Sequence, residues 1–433
     1  MKTPSRQDTL QTWIDWLLAL HAQEIDLGLE RVSQVARQLK VGRPAPFVIS
    51  VAGTNGKGSS VAMLSAILKQ QGYRVGTYTS PHILRFNERI QVNGEMVSDQ
   101  QIVDAFVEIE AARGQTKLTY FEFSTLAALL IFKQADVGVA VLEVGLGGRL
   151  DAVNLVDADA ALITAIDVDH IEWLGDDREQ IAIEKAGITR PNCPAVCSDP
   201  LAPASLFDYA KNHQVPLKCL GVDFVFSQNE QAWSFSFAGN DVLAATWPLP
   251  ALKGGFQLQN ASGVLALLSE VYDRLPVSRS SVEQGLTQVS NPGRLQAFFC
   301  GAQSWLVDVA HNPQSAKALA EYLASSPDRS KFCAVFSVLN DKDSKPMIQL
   351  MAPWIETWLI ADLNIPRSSS LSDLHALLME CGVAESHIKK MSSIAEAVSE
   401  ASGMDSMPAL VWGSFFTVSQ AMEALKVQQD LDC

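Results

Sequence analysis

Short apolar runs alternate with amphipathic segments along most of this 433-residue chain. Near-continuous apolar runs suit the strands of a parallel sheet buried on both faces, so the alternation predicts an α/β fold. The strands predicted in the first part of the chain are 47–52, 74–79, 138–144, 160–166 and 194–197, and the helices are 59–71, 99–113, 122–134 and 178–187.

The middle of the chain has a different pattern. Residues 220–250 alternate apolar and polar side chains around Asn-Glu and Gly-Asn pairs, which predicts antiparallel hairpins. Two helices are predicted next, over 257–273 and 278–289. The turn residues of 290–294 (SNPGR) then indicate a link between two domains.

A second α/β series begins at residue 295. Its predicted strands are 295–300, 304–309, 332–338, 356–362 and 408–413, and its helices lie near 313–325, 343–353, 371–381, 393–402 and 415–427. No internal repeat interrupts either series.

Charge and hydropathy exclude several classes of protein. The formal net charge of −15 argues against a nucleic-acid binder, which needs a basic surface. No apolar run approaches the ~20 residues of a membrane span. The N-terminal 32 residues, interrupted by Asp15, His21, Glu24 and Asp26, predict an amphipathic helix rather than a signal peptide, and we therefore expect a cytoplasmic protein.

The cysteines indicate a reducing compartment. They are odd in number and scattered, without the paired spacings of a zinc site, so free thiols are expected. They are Cys193, Cys197, Cys219, Cys300, Cys333, Cys381 and Cys433.

Residues 51–60 (VAGTNGKGSS) have the pattern of a strand that leads into a phosphate-binding loop and a helix. Its glycines allow backbone N–H groups to approach phosphate oxygens, and Lys57 adds a positive charge. The usual loop has a Ser or Thr directly after the lysine to hold Mg²⁺, but here Gly58 follows. A metal would therefore need ligands from elsewhere. A plain glycine-rich turn is the structural alternative.

Three polar residues lie near or just after the carboxyl ends of predicted strands, where ligands bind in open α/β sheets. They are Ser80 in TYTSPH, Glu143 in VLEVGLGGRLDA and His170 in IDVDHIEWLG. A carboxylate at the end of an apolar strand is costly unless it is paired or bound to metal. The alternatives are a Ser-Pro turn, a salt bridge and an ordinary loop histidine.

Other candidates decide little when taken singly. Lys185 lies in an otherwise apolar helix (IEKAGI), where it either extends to water or is a desolvated amine able to react with CO₂. Asn260, Arg294, Asp308 and His311 each have a structural alternative, such as a turn acid or a surface charge.

Together these motifs resemble one family. The order and spacing are those of the bacterial dihydrofolate synthase/folylpolyglutamate synthases, within the Mur-ligase-like ATP-dependent amide ligases. The motifs are GTNGKGS, TSPH, TYFE, EVGLGGRLDA, DH-x-x-WLG, EKAGI, PGR and DVAHNP. The resemblance runs from about residue 10 to the C-terminus. The sequence departs from the family pattern at two places. Val153 stands where the family usually has Thr, and GGFQLQN (254–260) is a loose version of the stretch that leads to the family's nucleotide-contacting Asn.

The resemblance implies a fold and a set of site residues. A P-loop ATPase-like domain, mainly parallel with a small antiparallel sheet, would span 1–291, and a Rossmann-like α/β domain would span 292–433. Ser80, Glu143 and His170 would bind Mg²⁺, and a carbamylated Lys185 would orient a second Mg²⁺. The implied ATP contacts are Thr54, Asn55, Gly56, Lys57, Gly58, Ser59, Asn260, Arg294 and Asp308.

The implied reaction is ATP-dependent addition of L-glutamate to dihydropteroate and to reduced folates, through an acyl phosphate. His311 would position glutamate or handle a proton, and the protein would be a monomer. The implied pterin contacts are Thr119, Tyr120, Phe121, Glu122, Leu150, Asp151 and Ala152.

Three other functions share parts of this pattern. A monofunctional folylpolyglutamate synthase would extend only folates. A cell-wall Mur ligase would carry a UDP-binding domain ahead of the phosphate loop. A regulatory GTPase would need a guanine-reading Asn-Lys-x-Asp stretch, which the sequence lacks, since LNDKD (339–343) is not one.

Overall fold

The computed structural model describes residues 2–20, 26–327, 329–404 and 407–431. The chain divides into two compact units. Unit 1 is Met1–His82, Phe86–Ala251 and Gln257–Ser290, and unit 2 is Ile83–Arg85, Leu252–Phe256 and Asn291–Cys433. In the described ranges, no helix has the length and apolar character needed to cross a membrane.

The first part of the chain, up to Gln288, alternates helices and strands. In order they are α1 (Leu10–Leu20), α2 (Glu30–Gln38), β1 (Phe47–Ala52), α3 (Lys57–Gln70), β2 (Val75–Tyr78), β3 (Ile90–Val92), β4 (Glu95–Met96), α4 (Asp99–Arg113), α5 (Tyr120–Gln134), β5 (Val139–Glu143), β6 (Ala160–Ile163), α6 (Ile171–Leu174), α7 (Arg178–Ala186), β7 (Ala195–Cys197), α8 (Ala204–Asn212), β8 (Leu217–Cys219), β9 (Phe224–Gln228), β10 (Ala232–Phe237), β11 (Ala245–Pro248), α9 (Phe256–Glu270) and α10 (Arg279–Gln288). A short 3₁₀ helix occupies Ala152–Leu155.

The main sheet of unit 1 has the strand order β4-β3-β2-β5-β1-β6-β7-β8. The pairs from β2 to β8 in this order are parallel, and the β2–β3 and β3–β4 pairs are antiparallel. Every residue of β1 and β5 is buried, as expected for strands covered on both faces. This order sets the carboxyl ends of β2, β5, β1 and β6 side by side, which brings their following loops to one edge.

Strands β9 to β11 form the separate antiparallel sheet predicted for the middle of the chain, in the order β11-β10-β9. Alternation is clearest in β10, whose Trp233, Phe235 and Phe237 are buried while the intervening residues are more exposed. The period of two thus places one aromatic face inward.

Unit 2 is a second α/β layer whose sheet has the order β12-β13-β17-β14-β15-β16, with only β12 antiparallel. Its elements are β12 (Gln296–Cys300), β13 (Gln303–Val307), α11 (Pro313–Ser325), β14 (Phe332–Phe336), α12 (Ser344–Met351), β15 (Ile355–Ala361), α13 (Leu371–Glu380), β16 (Ile388–Met391), α14 (Ile394–Ser402), β17 (Ala409–Trp412) and α15 (Phe415–Leu431).

The predicted fold class is confirmed, and every predicted strand and helix overlaps an element of its own kind. The N-terminal segment differs, because it contains two helices, α1 and α2, instead of one. Residues 21–25, which include His21 and Glu24, lie outside the described residues. The β3–β4 hairpin was missed, although Asn93 and Gly94 both have positive φ, the hairpin pair with the strongest local signal.

The structure shows the state of most of the cysteines. The six that lie in the described ranges are free thiols. Cys433 lies outside those ranges.

Candidate active site

The phosphate-binding loop follows β1 and leads into α3, which begins at Lys57. Gly56 is the N-cap of this helix and has a φ of 92°, a conformation that suits glycine. A Cβ at Gly53 would lie 1.8 Å from Thr164 Oγ1, so this position also needs glycine. The N–H groups of the first turn of α3 give this end of the helix the partial positive charge that binds phosphate.

Asn260 of α9 lies directly against the loop. A Cβ at Gly56 would be 2.4 Å from Asn260 Oδ1. The amide of Asn260 donates to Gln257 Oε1 at 3.0 Å, and Gln257 in turn donates to Ser59 Oγ at 3.2 Å. The fold therefore joins two predicted ATP-binding segments that are far apart in sequence, and Gln257 is a linking residue that sequence reasoning missed.

Lys57 bends back over the loop that precedes it. Its Nζ donates to the carbonyl oxygens of Gly53 at 3.0 Å and Thr54 at 3.2 Å. The ammonium group therefore lies beside the loop carbonyls, and Lys57 adds positive charge at the start of α3.

Two of the predicted metal ligands meet at the ends of neighbouring strands. Glu143, the last residue of β5, is buried, and its Oε2 accepts the backbone N–H of Ser80 at 3.1 Å. Ser80 follows β2, which pairs in parallel with β5. The carboxylate therefore lies at the sheet edge next to the phosphate loop, since β5 also pairs with β1.

His170 follows β6 and is the N-cap of α6, with a φ of 54°. Its backbone N–H donates to Asp169 Oδ1 at 2.8 Å. A hydroxyl, a carboxylate and an imidazole are a donor set that Mg²⁺ can use together with water, although imidazole is the less usual of these ligands. In the part of the chain that the structure describes, no cluster of three His, Cys, Asp or Glu side chains forms a metal site. The predicted set is not of that kind, because one of its members is a serine.

Lys185 lies near the C-terminal end of α7 and is only 2% exposed. Burial, and to a smaller extent the charge of Lys57, lowers the pKa of its amine to about 7, while Asp169 opposes the shift. This burial excludes the alternative of a lysine that extends to water. A neutral amine in such a place is a nucleophile for CO₂.

The glycine loop after β5 packs onto α7. A Cβ at Gly148 would lie 2.6 Å from Glu184 O and 3.0 Å from Lys185 Cα. On the same loop, Arg149 donates through Nη2 to Glu184 Oε1 at 2.8 Å. The loop that carries the predicted pterin residues is therefore fixed to the helix that carries Lys185.

The TYFE motif has a structural role that the sequence prediction did not include. Thr119 and Glu122 form a capping box at the start of α5, the arrangement that the spacing Thr-x-x-Glu favours. Glu122 is buried, which raises the pKa of its carboxyl, while the Thr119 N–H and the Arg31 charge oppose the shift. Arg31 Nη2 lies 3.2 Å from Glu122 Oε1, and the guanidinium of Arg89 lies 5.2 Å from the centre of the Tyr120 ring.

Asp151 holds the second pterin candidate segment together. Its Oδ2 accepts the N–H of Leu146 and its Oδ1 the N–H of Val153, each at 2.9 Å. Burial raises the pKa of its carboxyl to about 6 against these hydrogen bonds. The adjacent Leu150 carbonyl accepts the N–H of Gly28 at 3.2 Å.

Segment 26–31 thus contacts both candidate pterin motifs, through Gly28 at Leu150 and through Arg31 at Glu122. No local signal in the sequence identified this segment, because both contacts join residues about a hundred positions apart. Phe121 approaches the same region, since a Cβ at Gly145 would lie 2.6 Å from its ring.

In unit 2, Asp308 follows β13 and is buried. Its carboxylate accepts the N–H groups of Leu295 at 2.9 Å and Ala310 at 2.8 Å. Burial raises the pKa of Asp308, and the charge of Arg294 partly offsets this effect. The predicted residues Arg294 and Asp308 are therefore neighbours.

Phe415, at the start of α15, is a neighbour that the sequence prediction omitted. The Arg294 guanidinium lies 5.2 Å from the centre of its ring, and the His311 ring lies 5.7 Å from it. The Nδ1 of His311 is 2.9 Å from the Val309 carbonyl. A carbonyl can only accept, so Nδ1 carries the hydrogen and Nε2 is the acceptor of the neutral ring.

The fold and the phosphate loop are those of an ATP-dependent ligase of the Mur type. A family model described as the Mur ligase middle domain matches residues 51–197, and one described as the Mur ligase glutamate ligase domain matches residues 293–411. The predicted class of enzyme is confirmed.

Similarity over the whole chain identifies the family within this class of ligases. The chain is 40% identical to the dihydrofolate synthase/folylpolyglutamate synthase of Escherichia coli (strain K12) over 99% of its own length and 98% of that protein. The solved structure of the E. coli protein in complex with DHPP and ADP matches with a TM-score of 0.91 at 40% identity, covering 99% of this chain and 100% of that one. The chain therefore belongs to the dihydrofolate synthase/folylpolyglutamate synthase family, as the motifs predicted.

A further solved structure of a bifunctional folylpolyglutamate synthase/dihydrofolate synthase has Mn, AMPPNP and L-glutamate bound. It matches with a TM-score of 0.88 at 40% identity and covers 98% of this chain and 100% of that one. These relatives thus bind ADP or AMPPNP, and one of them also binds Mn and L-glutamate.

Proposed function

We propose that this protein uses ATP to join L-glutamate to dihydropteroate and to reduced folates. The observation that carries the proposal is the contact between Glu143 and Ser80 beside the phosphate loop. A buried carboxylate at this edge, with no hydroxyl after Lys57, supports a metal held from the neighbouring strand ends. The relatives' bound DHPP, AMPPNP and L-glutamate support the choice of substrates.

The first step activates the acceptor. An oxygen of the substrate carboxylate attacks the γ-phosphorus of ATP, the bond to the β-phosphate oxygen breaks, and an acyl phosphate and ADP result. Both reactants are anions, and the protein's net charge of −15 repels them. Lys57 and the N–H groups of the loop that holds it offset this repulsion at the phosphates, while Asn260 and Ser59 fix the loop's shape.

The donors Ser80, Glu143 and His170 fit Mg²⁺, which when bound would offset the charge on the ATP phosphates. We further propose that CO₂ converts Lys185 to a carbamate. The neutral amine nitrogen bonds to the carbon of CO₂ and loses one proton, so an uncharged amine becomes an anionic carbamate able to orient a second Mg²⁺. Its burial and lowered pKa support this modification.

The pterin is proposed to bind along Thr119–Glu122 and Leu150–Ala152. Tyr120 and Phe121 offer rings for stacking, and the carboxyls of Glu122 and Asp151 can accept N–H donors. Both carboxyls are buried and fixed by backbone N–H groups, which supports a preformed site. Because segment 26–31 contacts both motifs, the proposed site also includes Gly28 and Arg31.

The second step forms the amide. The amine of L-glutamate attacks the acyl carbon, and the tetrahedral intermediate expels phosphate and releases one proton from nitrogen. For the C-terminal domain, 292–433, we propose that Arg294 and Asp308 contact ATP. His311 is proposed to position glutamate or to accept the proton, and its acceptor Nε2 supports the second role.

ADP release tests this function. Purified protein is supplied with ATP, Mg²⁺ and L-glutamate, and the acceptor is either dihydropteroate or tetrahydrofolate. We expect ADP and a glutamylated product with both acceptors. Product with tetrahydrofolate alone would support the monofunctional alternative, and ADP without glutamylated product from either acceptor would refute the proposal.

A further inference from the structure

An ion pair between Arg178, which is partly exposed, and the buried Asp199 holds the backbone just beyond β6. The N–H of Ile166 donates to Asp199 Oδ2 at 2.6 Å, and its carbonyl accepts Nε–H of Arg178 at 2.9 Å. Arg178 and Asp199 also contact each other, at 3.3 Å between Nη2 and Oδ2. The backbone N–H and the carbonyl of Ile166 are thus both bound by one arginine–aspartate pair.

The pair is itself anchored on a third segment. Asp199 follows β7 and is almost wholly buried, and its Oδ1 accepts the N–H of Leu201 at 2.8 Å. Arg178 donates to the carbonyl of the same Leu201 at 3.2 Å. The Arg178–Asp199 pair that holds Ile166 is therefore itself attached to the segment that follows β7 of the main sheet.

The phosphate loop binds the other side of the same segment. Thr54 N–H donates to the carbonyl of Ala165 at 2.7 Å. The Thr54 hydroxyl accepts the N–H of Asp167 at 3.0 Å and donates to its carbonyl at 2.8 Å. Ala165, Ile166 and Asp167 are thus held between the phosphate loop and the Arg178–Asp199 pair.

This segment leads directly to functional candidates. His170 follows three residues after Asp167, and Arg178 is the first residue of α7, the helix that carries Lys185. Lys185 lies seven positions after Arg178 in this helix, a rise of about 10 Å. A displacement of the pair would therefore move both the His170 segment and the Lys185 helix relative to Thr54.

We infer that Arg178 and Asp199 are positioning residues that set His170 and α7 against the phosphate loop, and thereby the affinity of the metal site. The inference rests on the proposed function, because it takes His170 as a metal ligand. Neither residue is assigned to touch substrate. Loss of residues that orient metal ligands typically costs about 10- to 100-fold in metal affinity.

Mn²⁺ binding tests the inference without relying on catalysis. The Kd for Mn²⁺ is measured by EPR titration of the protein with AMPPNP, for the wild type and for Asp199→Asn, Arg178→Ala and Arg178→Lys. We expect about a 10-fold rise in Kd for the first two variants. Arg178→Lys keeps one donor and should give a smaller rise.

Asp159 provides a matched control. Its carboxylate accepts the N–H of Val48 at 2.9 Å and forms ion pairs with Arg43 and Arg274. Like Asp199, it is therefore an aspartate that binds both a backbone N–H and an arginine. Val48 lies near the start of β1, at the end of the strand away from the phosphate loop. Asp159→Asn should lose stability to urea without a change in the Kd for Mn²⁺.

Two outcomes would overturn the inference: an unchanged Kd in Asp199→Asn, or an equal rise in Asp199→Asn and Asp159→Asn. If Asp199→Asn does not fold, a wild-type Kd in Arg178→Lys and Arg178→Ala overturns it equally. Glutamate ligation by the wild type is assayed in parallel. Its absence would refute the proposed function, whereas normal ligation with an unaltered Kd in the variants refutes the positioning role alone.

Discussion

The charge of Lys57 lowers the pKa of Lys185, a residue of α7 that burial has already made a weaker base. The pKa of about 7 leaves a much larger fraction of neutral amine at Lys185 than at an ordinary lysine, which is almost wholly charged at neutral pH. Because only the neutral amine attacks CO₂, the lysine of the phosphate loop favours modification of the buried lysine.

Lys185 should therefore carry a carbamate when the protein is supplied with bicarbonate. ¹³C NMR with labelled bicarbonate should show a carbamate carbon in the wild type and none in Lys185→Ala. The variant should lose ligase activity, and a small carboxylate in the buffer should restore part of it. A bare amine at Lys185 in an active, bicarbonate-supplied sample would contradict the modification.

Gly56→Ala should weaken ATP binding, and its effect on the stability of the fold should be the smaller one. The new Cβ would meet Asn260 Oδ1 at 2.4 Å, and the φ of 92° would strain any residue with a side chain. We expect the KM for ATP to rise about 10-fold or more, because the loop and Asn260 must separate. Steady-state kinetics at varied ATP measures this.

Gly72→Ala is the control for strain alone. Its φ is 95°, nearly that of Gly56, but nothing lies within 4 Å of its new Cβ. This variant should lose roughly 1 kcal/mol or more of stability and keep the wild-type KM for ATP. Equal changes in KM for the two variants would show that the contact with Asn260 is unimportant.

Glu143→Gln and His170→Ala should each lower kcat by about 10²-fold or more at saturating Mg²⁺, the loss typical of a charge-stabilising group. The glutamine amide keeps an oxygen that can accept the Ser80 N–H, so the fold should persist. Circular dichroism checks the fold, and ADP release measures the rate. Near wild-type kcat in both variants would remove these residues from the metal site.

Asp151 should make the protein less stable as the pH rises from about 4 to 6. Burial raises the folded pKa to about 6 from 3.8, so the folded state keeps its proton where the unfolded state has lost it. The stability that the protonated Asp151 contributes is fully present below the unfolded pKa. About 3 kcal/mol of it is lost as the pH rises through the folded pKa. Asp151→Asn should remove this slope in urea unfolding measured across the window.

Asp159 should behave in the opposite way. Burial opposes the shift, but Arg274, the Val48 N–H and Arg43 hold the pKa of Asp159 below its ordinary value. Its contribution is present above the unfolded pKa and is lost as the pH falls. Asp159→Asn should therefore leave the fall between pH 4 and 6 in place, and its disappearance in this variant would show that the slope does not come from Asp151.

The parts of the site that could be predicted from sequence are those that one strand and its loop define. Gly56 and Lys57 lie within one short stretch, and Glu143 is conspicuous as an acid at the end of an apolar strand. The apolar pattern of the strands is enough to predict that these residues share one edge of a parallel sheet. The same local logic predicted most of the helices and strands, although it omitted the short elements α6, α8, β8 and β16 as well as the β3–β4 hairpin.

The parts that escaped prediction depend on distant pairs. Arg31 reaches Glu122 across 91 positions, and Thr54 bonds to Asp167 across 113. Nothing near Asp199 in the sequence identifies Ile166 as its partner. The capping box of Thr119 and Glu122 was within reach, since the Thr-x-x-Glu spacing is a local signal, but the motif was interpreted only for ligand binding.

Transfer of oxygen tests the acyl-phosphate ligase mechanism most directly. Dihydropteroate labelled with ¹⁸O in its carboxylate is incubated with the protein, ATP, Mg²⁺ and L-glutamate, and the phosphate is analysed by mass spectrometry. Each turnover should transfer one ¹⁸O from the carboxylate to the released phosphate, because that oxygen bonds to the γ-phosphorus before glutamate attacks. Unlabelled phosphate alongside normal glutamylated product would exclude an acyl phosphate.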